Sequence, residues 1–132
     1  MKRTYPVKLQ RVNGGYVVYI PDFNNNTQGG DLTEAIEMAR DAIGLMGIDM
    51  EDNGEPLPEA TAITDVKKEN EEDIITLVDV DFAEYRRKND LRTVKKNCTI
   101  PSWLNFEAEK AGVNFSAILQ AALKSELNLT DR

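Results

Sequence analysis

Residues 94–100 read as one strand with no companion in the last third of the chain, and no other feature of the sequence restricts the fold as strongly. Pro101 ends the run and suits the first position of a helix, where its missing N–H costs nothing. Trp103, Leu104, Ala108 and Ala111 form the apolar side of that helix, and Gly112 closes it. Asn114 is a good N-cap for a second helix, in which Phe115, Ile118, Leu119, Ala122, Leu123 and Leu127 recur at helical spacing. This strand–helix–glycine turn–helix order occupies the 37 residues 93–129. Units below roughly 40 residues rarely fold without a staple, a metal or a partner. A lone strand also leaves its backbone N–H and C=O groups unpaired. The simplest repair is the same strand from a second copy, antiparallel about a two-fold axis.

Alternation along the strand assigns its faces. Val94, Lys96, Cys98 and Ile100 point one way, toward the helices, with Lys96 the imperfect member. Cys98 is expected there as a small buried hydrophobe. Lys95, Asn97 and Thr99 point the other way and form a polar, exposed set. A two-stranded ribbon fits the DNA major groove, where Lys reads guanine, Asn adenine, and Thr either edge or a thymine methyl. The N-terminus of the second helix, at Asn114, Phe115 and Ser116, suits a phosphate, and Arg92 and Lys96 can supplement it as further cations.

Charge divides the chain in the same place. The whole has 16 Lys and Arg against 23 Asp and Glu, net −7. Residues 1–82 carry 7 basic and 17 acidic side chains, net −10; residues 83–132 carry 9 and 6, net +3. Arg86, Arg87, Lys88, Arg92, Lys95 and Lys96 face only Asp90 within residues 85–97. An acidic body is repelled by phosphate and a basic segment is not, so two modules with different partners are expected.

The chain has no histidine and one cysteine. That removes imidazole acid–base chemistry, His-based nucleophilic triads, His-ligated metals and intrachain disulfides. No catalytic residue, metal site or cofactor is expected. The longest apolar run, residues 16–20, is too short to cross a bilayer. No signal-like apolar stretch follows Met1, and with a single thiol the chain is read as cytoplasmic.

In residues 1–82, Tyr5, Val7 and Leu9 alternate with polar neighbours or proline and read as a strand. Asn13-Gly14-Gly15 is a turn, and residues 16–20 return as a second strand that Pro21 ends. Asn24-Asn25-Asn26 and Gly29-Gly30 leave room for at most a very short strand at Thr27-Gln28. Asp31 with Glu34 fits a capping box. The helix behind it has one apolar stripe, Ala35, Ile36, Ala39, Ala42, Ile43, Met46 and Met50, with Gly44 and Gly47 weakening its last turns by roughly 1 kcal/mol each. Residues 69–73 read as an acidic turn or a disordered stretch, and residues 74–82 as a strong strand. The expectation is an α+β chain: a β-β-β-α-β domain at 1–82, a linker at 83–92, and a dimerising DNA-binding domain at 93–132.

Two resemblances sharpen this. Val94 to Pro101, Trp103-Leu104, Gly112-Val113-Asn114 and Ser116 to Gln120 resemble a ribbon–helix–helix repressor domain. Gly14 to Phe23, Thr27-Gln28-Gly29, Asp31 to Ala35 and Val78 to Phe82 with Tyr85-Arg86 resemble the HicB antitoxins. That resemblance implies a partial, inactive RNase H-like N-terminal domain binding a HicA-like toxin, an mRNA interferase that works through a histidine. It also implies repression of the toxin–antitoxin operon through operator DNA, by a homodimer or a higher assembly with toxin. The acidic body suits a basic, RNA-binding partner, and Asp22, Phe23, Asp31 and Glu34 are the expected toxin contacts.

Two rivals remain at this point. Asp22, Asp79 and Asp81 are the carboxylates an active nuclease would have to gather on metal ions. The other rival is a ligand-responsive ribbon–helix–helix transcription factor without a toxin, although no glycine-rich phosphate loop is present.

Overall fold

A computed structural model describes residues 1–130 and resolves into two units, Met1–Asp90 and the residues from Leu91 onward. Residues 131 and 132, the end of the expected C-terminal domain, lie outside the described residues.

Unit 1 is a four-stranded antiparallel sheet carrying two helices. Its strands are β1 (Lys2–Val12), β2 (Gly15–Ile20), β3 (Asn25–Gly29) and β4 (Ile74–Asp81), in the order β3-β2-β1-β4. Leu9 lies opposite Val18, and Tyr5 opposite Val78. Directly opposed residues share a face, so one face of the sheet presents Tyr5, Val7, Leu9, Val18, Ile20, Val78 and Val80. Helix α1 (Leu32–Asp52) closes that face with Ala35, Ala39 and Ile43, all buried. Each buried aliphatic or aromatic side chain contributes about 1.5–3 kcal/mol relative to exposure.

The third strand is longer than its amide-rich sequence suggests. It spans five residues and pairs with β2 along its whole length, from Tyr16 opposite Gly29 to Ile20 opposite Asn25. Two local devices allow this. Asn24 adopts the left-handed conformation, φ 47°, which asparagine tolerates, and turns the chain after Pro21–Phe23. Gly29 lies so near α1 that a Cβ there would stand 2.4 Å from the Ala35 backbone nitrogen. Glu34 does reach back, but to the Gly30 N–H, one residue earlier than a capping box requires.

Residues 83–92 are not simply a linker. Helix α2 (Phe82–Lys88) follows β4 without a break, because the Asp81 carboxylate accepts from the N–H groups of Ala83 and Glu84. Gly44 and Gly47 are its sockets rather than weak points of α1. A Cβ on Gly44 would stand 2.7 Å from the Tyr85 ring, and one on Gly47 2.1 Å from the Phe82 ring. Tyr85 donates its hydroxyl to Asp41, and Arg86 holds Asp52 at 2.9 Å.

Residues 69–73 are ordered. Asp73 is 3% exposed, and its Oδ2 accepts from the N–H groups of Glu69 and Asn70. The opposite face of the sheet is anchored here: buried Lys8 donates to Glu69 at 3.1 Å and lies over the Tyr19 ring.

Unit 2 contains α3 (Ser102–Ala111) and α4 (Phe115–Leu127). Pro101 is the N-cap of α3, not its first residue; its carbonyl accepts from Asn105 N–H at 3.0 Å. Gly112, φ 68°, turns the chain where a Cβ would be strained. The Asn114 side chain accepts from Ala117 N–H at 3.0 Å and starts α4. Residues 94–100, expected as a strand, form neither strand nor helix, and unit 2 offers no strand for them to pair with among the described residues.

The glycine contacts set a stability test. Gly29→Ala and Gly47→Ala should each destabilise unit 1 by about 1–3 kcal/mol through overpacking. Gly30→Ala, with nothing within 4 Å of its Cβ, should leave the urea midpoint almost unchanged. Equal midpoints for all three would remove the socket explanation.

Candidate nucleic-acid interface and partner surface

The helices of unit 2 bury none of their own side chains. Ile118 is 53% exposed, Leu119 38% and Leu104 41%. These residues form the wall of a groove of about 690 Å³ with Ala108, Phe115 and Ala122. From the segment before α3, Lys96, Cys98 and Ile100 enter the same wall. Lys95, Asn97 and Thr99 are exposed and lie outside it. The period of two therefore sorts this segment's side chains as a strand would, even without a partner strand. Cys98 is exposed in the single chain, not buried, since nothing roofs the groove.

The remaining expected DNA contacts divide by role. Arg92 is exposed on the segment before the groove. Lys96 lines the groove, as do Phe115 and Ser116 at the start of α4. Asn114 spends its side-chain oxygen on the helix cap. Arg86, counted with the basic segment, is already paired with Asp52 and, at 3.9 Å, with Glu51.

In unit 1 the four expected toxin contacts all have internal tasks. Asp22 accepts from Thr61 N–H at 3.1 Å and from its hydroxyl at 2.6 Å. Phe23 meets the Tyr5 ring edge-on, centroids 5.0 Å apart. Asp31 caps α1 by accepting from Glu34 N–H at 2.8 Å, and Glu34 holds Gly30. Asp22 and Phe23 precede β3, and Asp31 and Glu34 follow it, so the four bracket that strand.

The carboxylates a nuclease would need are committed elsewhere. Asp79 pairs with Lys2 and with Arg40, both at 3.3 Å, and Asp81 caps α2. Asp22 is tied to Thr61. Among the described residues no three acidic or thiol side chains gather as a metal site would require. No helix among them is long and apolar enough to cross a membrane. The sequence reading missed the docking of α2, although Asp81 and Glu84, three residues apart, carried a helix-start signal.

A family model described as HicB_like antitoxin of bacterial toxin-antitoxin system matches residues 5–122. The chain is 35% identical over 103 residues to an uncharacterized 14.9 kDa protein in the rep-hol intergenic region of Haemophilus phage HP1 (strain HP1c1), covering 76% of this chain and 74% of that protein. A toxin–antitoxin complex from Streptococcus pneumoniae contains a chain that aligns with TM-score 0.58 and 27% identity, over 96% of this chain and 99% of that one. The Burkholderia pseudomallei antitoxin HicB aligns with TM-score 0.54 over 95% of this chain and 96% of its own; at 22% identity that likeness speaks to the fold alone.

Acid should unfold unit 1 through its committed carboxylates. Asp73 titrates below the ordinary value of 3.8 chiefly because Asn70 N–H bonds its ionised form. Asp79 is lowered first by Lys2 and then by Arg40, and Asp81 first by Glu84 N–H. A lowered carboxylate binds fewer protons folded than unfolded. Its stabilisation is complete above the unfolded pKa and fades as pH falls through the folded one. The thermal midpoint should therefore hold near neutrality and drop as the pH passes below the ordinary carboxylate value, and Asp73→Asn should shallow that drop.

Proposed function

The chain belongs to the HicB-like antitoxin family of bacterial toxin–antitoxin systems, and from that premise we propose how its two units divide the work. Unit 1, read as a partial RNase H-like domain from its β-β-β-α-β order, binds a small basic toxin of the HicA kind. It covers the toxin's active-site histidine and RNA-binding face. Neutralisation is by occlusion, with no chemistry on the antitoxin side. Asp22, Phe23, Asp31 and Glu34 mark the proposed face, around β3. Unit 2 is a ribbon–helix–helix domain that dimerises and represses the operon by placing Lys95, Asn97 and Thr99 of each copy in the operator's major groove.

One observation carries the second half of this reading: the open groove in which Lys96, Cys98 and Ile100 meet the apolar residues of both helices. It is half of a core. Full burial of an exposed aliphatic side chain contributes about 1.5–3 kcal/mol, and Ile118, Leu119, Leu104 and Ile100, each about half exposed, leave part of that for a partner to supply. A second copy offers the same groove and the strand that residues 94–100 lack, paired antiparallel. Among the described residues, Lys96 is the one charged residue lining the groove, and a lysine stem can cover apolar surface while its ammonium stays in water or at a phosphate.

Sedimentation velocity tests the dimer. The wild-type chain should sediment as a dimer or a larger species at micromolar concentration. Leu119→Asp should weaken association by about 3 kcal/mol or more, since it places an unpaired charge in the joint core. Operator binding should vanish with it while toxin binding persists. A strictly monomeric wild type would remove the ribbon.

The two activities should separate at the ribbon. Asn97→Ala should cost about 1–3 kcal/mol of specific operator affinity by losing a base contact, and toxin inhibition should stay at the wild-type level. Loss of both would mean that the variant fails to fold.

A further inference from the structure

We propose that the open edge of β3 is the docking surface of unit 1, and that a strand of a basic partner protein adds to the sheet there. This rests on the antitoxin reading above and names the part of unit 1 that the toxin engages: backbone, not side chains.

The sheet order β3-β2-β1-β4 leaves two edges. Folded proteins defend such edges with charge, proline, bulges or a covering element, because unpaired N–H and C=O groups template another strand. The β4 edge is defended. Arg40 reaches from α1, donates to the Asp79 carbonyl at 2.9 Å and pairs with its carboxylate. The β3 edge has no such defence. Its residues, Asn25, Asn26, Thr27, Gln28 and Gly29, include no charge and no proline.

The hydrogen bonds show which of its groups face outward. Asn26 donates its backbone N–H to the Asn25 side chain at 2.9 Å, not to β2. Residues two apart along an antiparallel strand orient alike, so the Gln28 N–H and C=O point outward as well. A neighbouring amide oxygen is a local substitute that an incoming carbonyl can displace. The strand is also formed before any partner arrives. Gly29 is pressed against α1 at Ala35, and every residue of β3 is in register with β2. A preformed edge spends little conformational entropy on binding.

Charge selects the occupant. Residues 1–82 hold 17 acidic and 7 basic side chains. A second copy would bring the same negative excess to the joint, whereas a basic protein is drawn to it. The side chains at the ends of β3, Asp22, Asp31 and Glu34, add acidity on both flanks while holding the strand in place.

The test uses the full chain and a small basic toxin of the HicA kind, purified as a catalytically inactive protein. Gln28→Pro deletes one outward N–H and blocks strand addition, and edge strands tolerate proline at solvent-facing positions. The toxin Kd should rise about tenfold or more, whereas Gln28→Ala, which keeps the backbone donor, should stay within about twofold. Circular dichroism and the urea midpoint establish that each variant folds. If Gln28→Pro unfolds, amide exchange of the wild type decides: Gln28 N–H should slow at least about a hundredfold when toxin is added. Unchanged affinity of folded Gln28→Pro, or unprotected Gln28 in the complex, overturns the edge while leaving the antitoxin reading intact. A Gln28→Pro effect confined to the oligomeric state of the toxin-free chain would make a second copy the occupant and overturn it too. Failure of the wild-type chain to bind or inhibit the toxin would instead strike the functional reading itself.

Discussion

A stretch of backbone that belongs to no ladder is the constraint from which the rest follows. Residues 94–100 carry donors and acceptors that no other part of unit 2 pairs in a ladder. The helices behind them expose the side chains that would normally form a core. Neither deficit can be repaired by rearranging about 40 residues around themselves, because two helices and one short segment enclose too little volume. In the proposed reading both are repaired at once by a symmetric partner, and that repair puts the polar side of the ribbon on the outside. In the proposed reading, DNA recognition is a by-product of completing a core.

Unit 1 solves the same problem alone. It has enough strands to pair and a long helix to cover one face, so its core closes within the chain. Its polar interior groups are each committed: Lys8 to Glu69, Asp73 to two backbone amides, Asp22 to Thr61. Such groups stabilise only when satisfied, and together they hold down the loops that a purely apolar pattern would leave undefined. What they leave over is negative surface, which favours a cationic partner and opposes phosphate.

Much of this was legible in the residues. Alternation at Tyr5, Val7 and Leu9, the glycine turn at Gly14, the stripe of α1, and the caps at Asp31, Gly112 and Asn114 all act locally, and local physics is what a sequence displays. The unread parts depend on distant contacts. Thr27-Gln28 looked too polar and too short for a full strand, because its stability comes from pairing with β2 rather than from propensity. Gly44 and Gly47 read as helix-weakening, since the rings that fill their space come from Tyr85 and Phe82, about forty residues away. The basic run hid α2: charge suggested a linker, while Asp81 and Glu84 marked a helix start. Among the expected toxin contacts, the chain places the residues near one strand but gives each an internal duty that no one-dimensional pattern reveals.

The uncovered groove of unit 2 has a consequence for dosage. If the DNA-reading form exists only in pairs, then while single chains predominate its amount follows the square of the antitoxin level. Halving the supply would leave roughly a quarter of the repressor but half of the inhibitor. A cell that slows synthesis of this chain would therefore relieve transcription before it released the toxin, and replenishment would begin while protection still held.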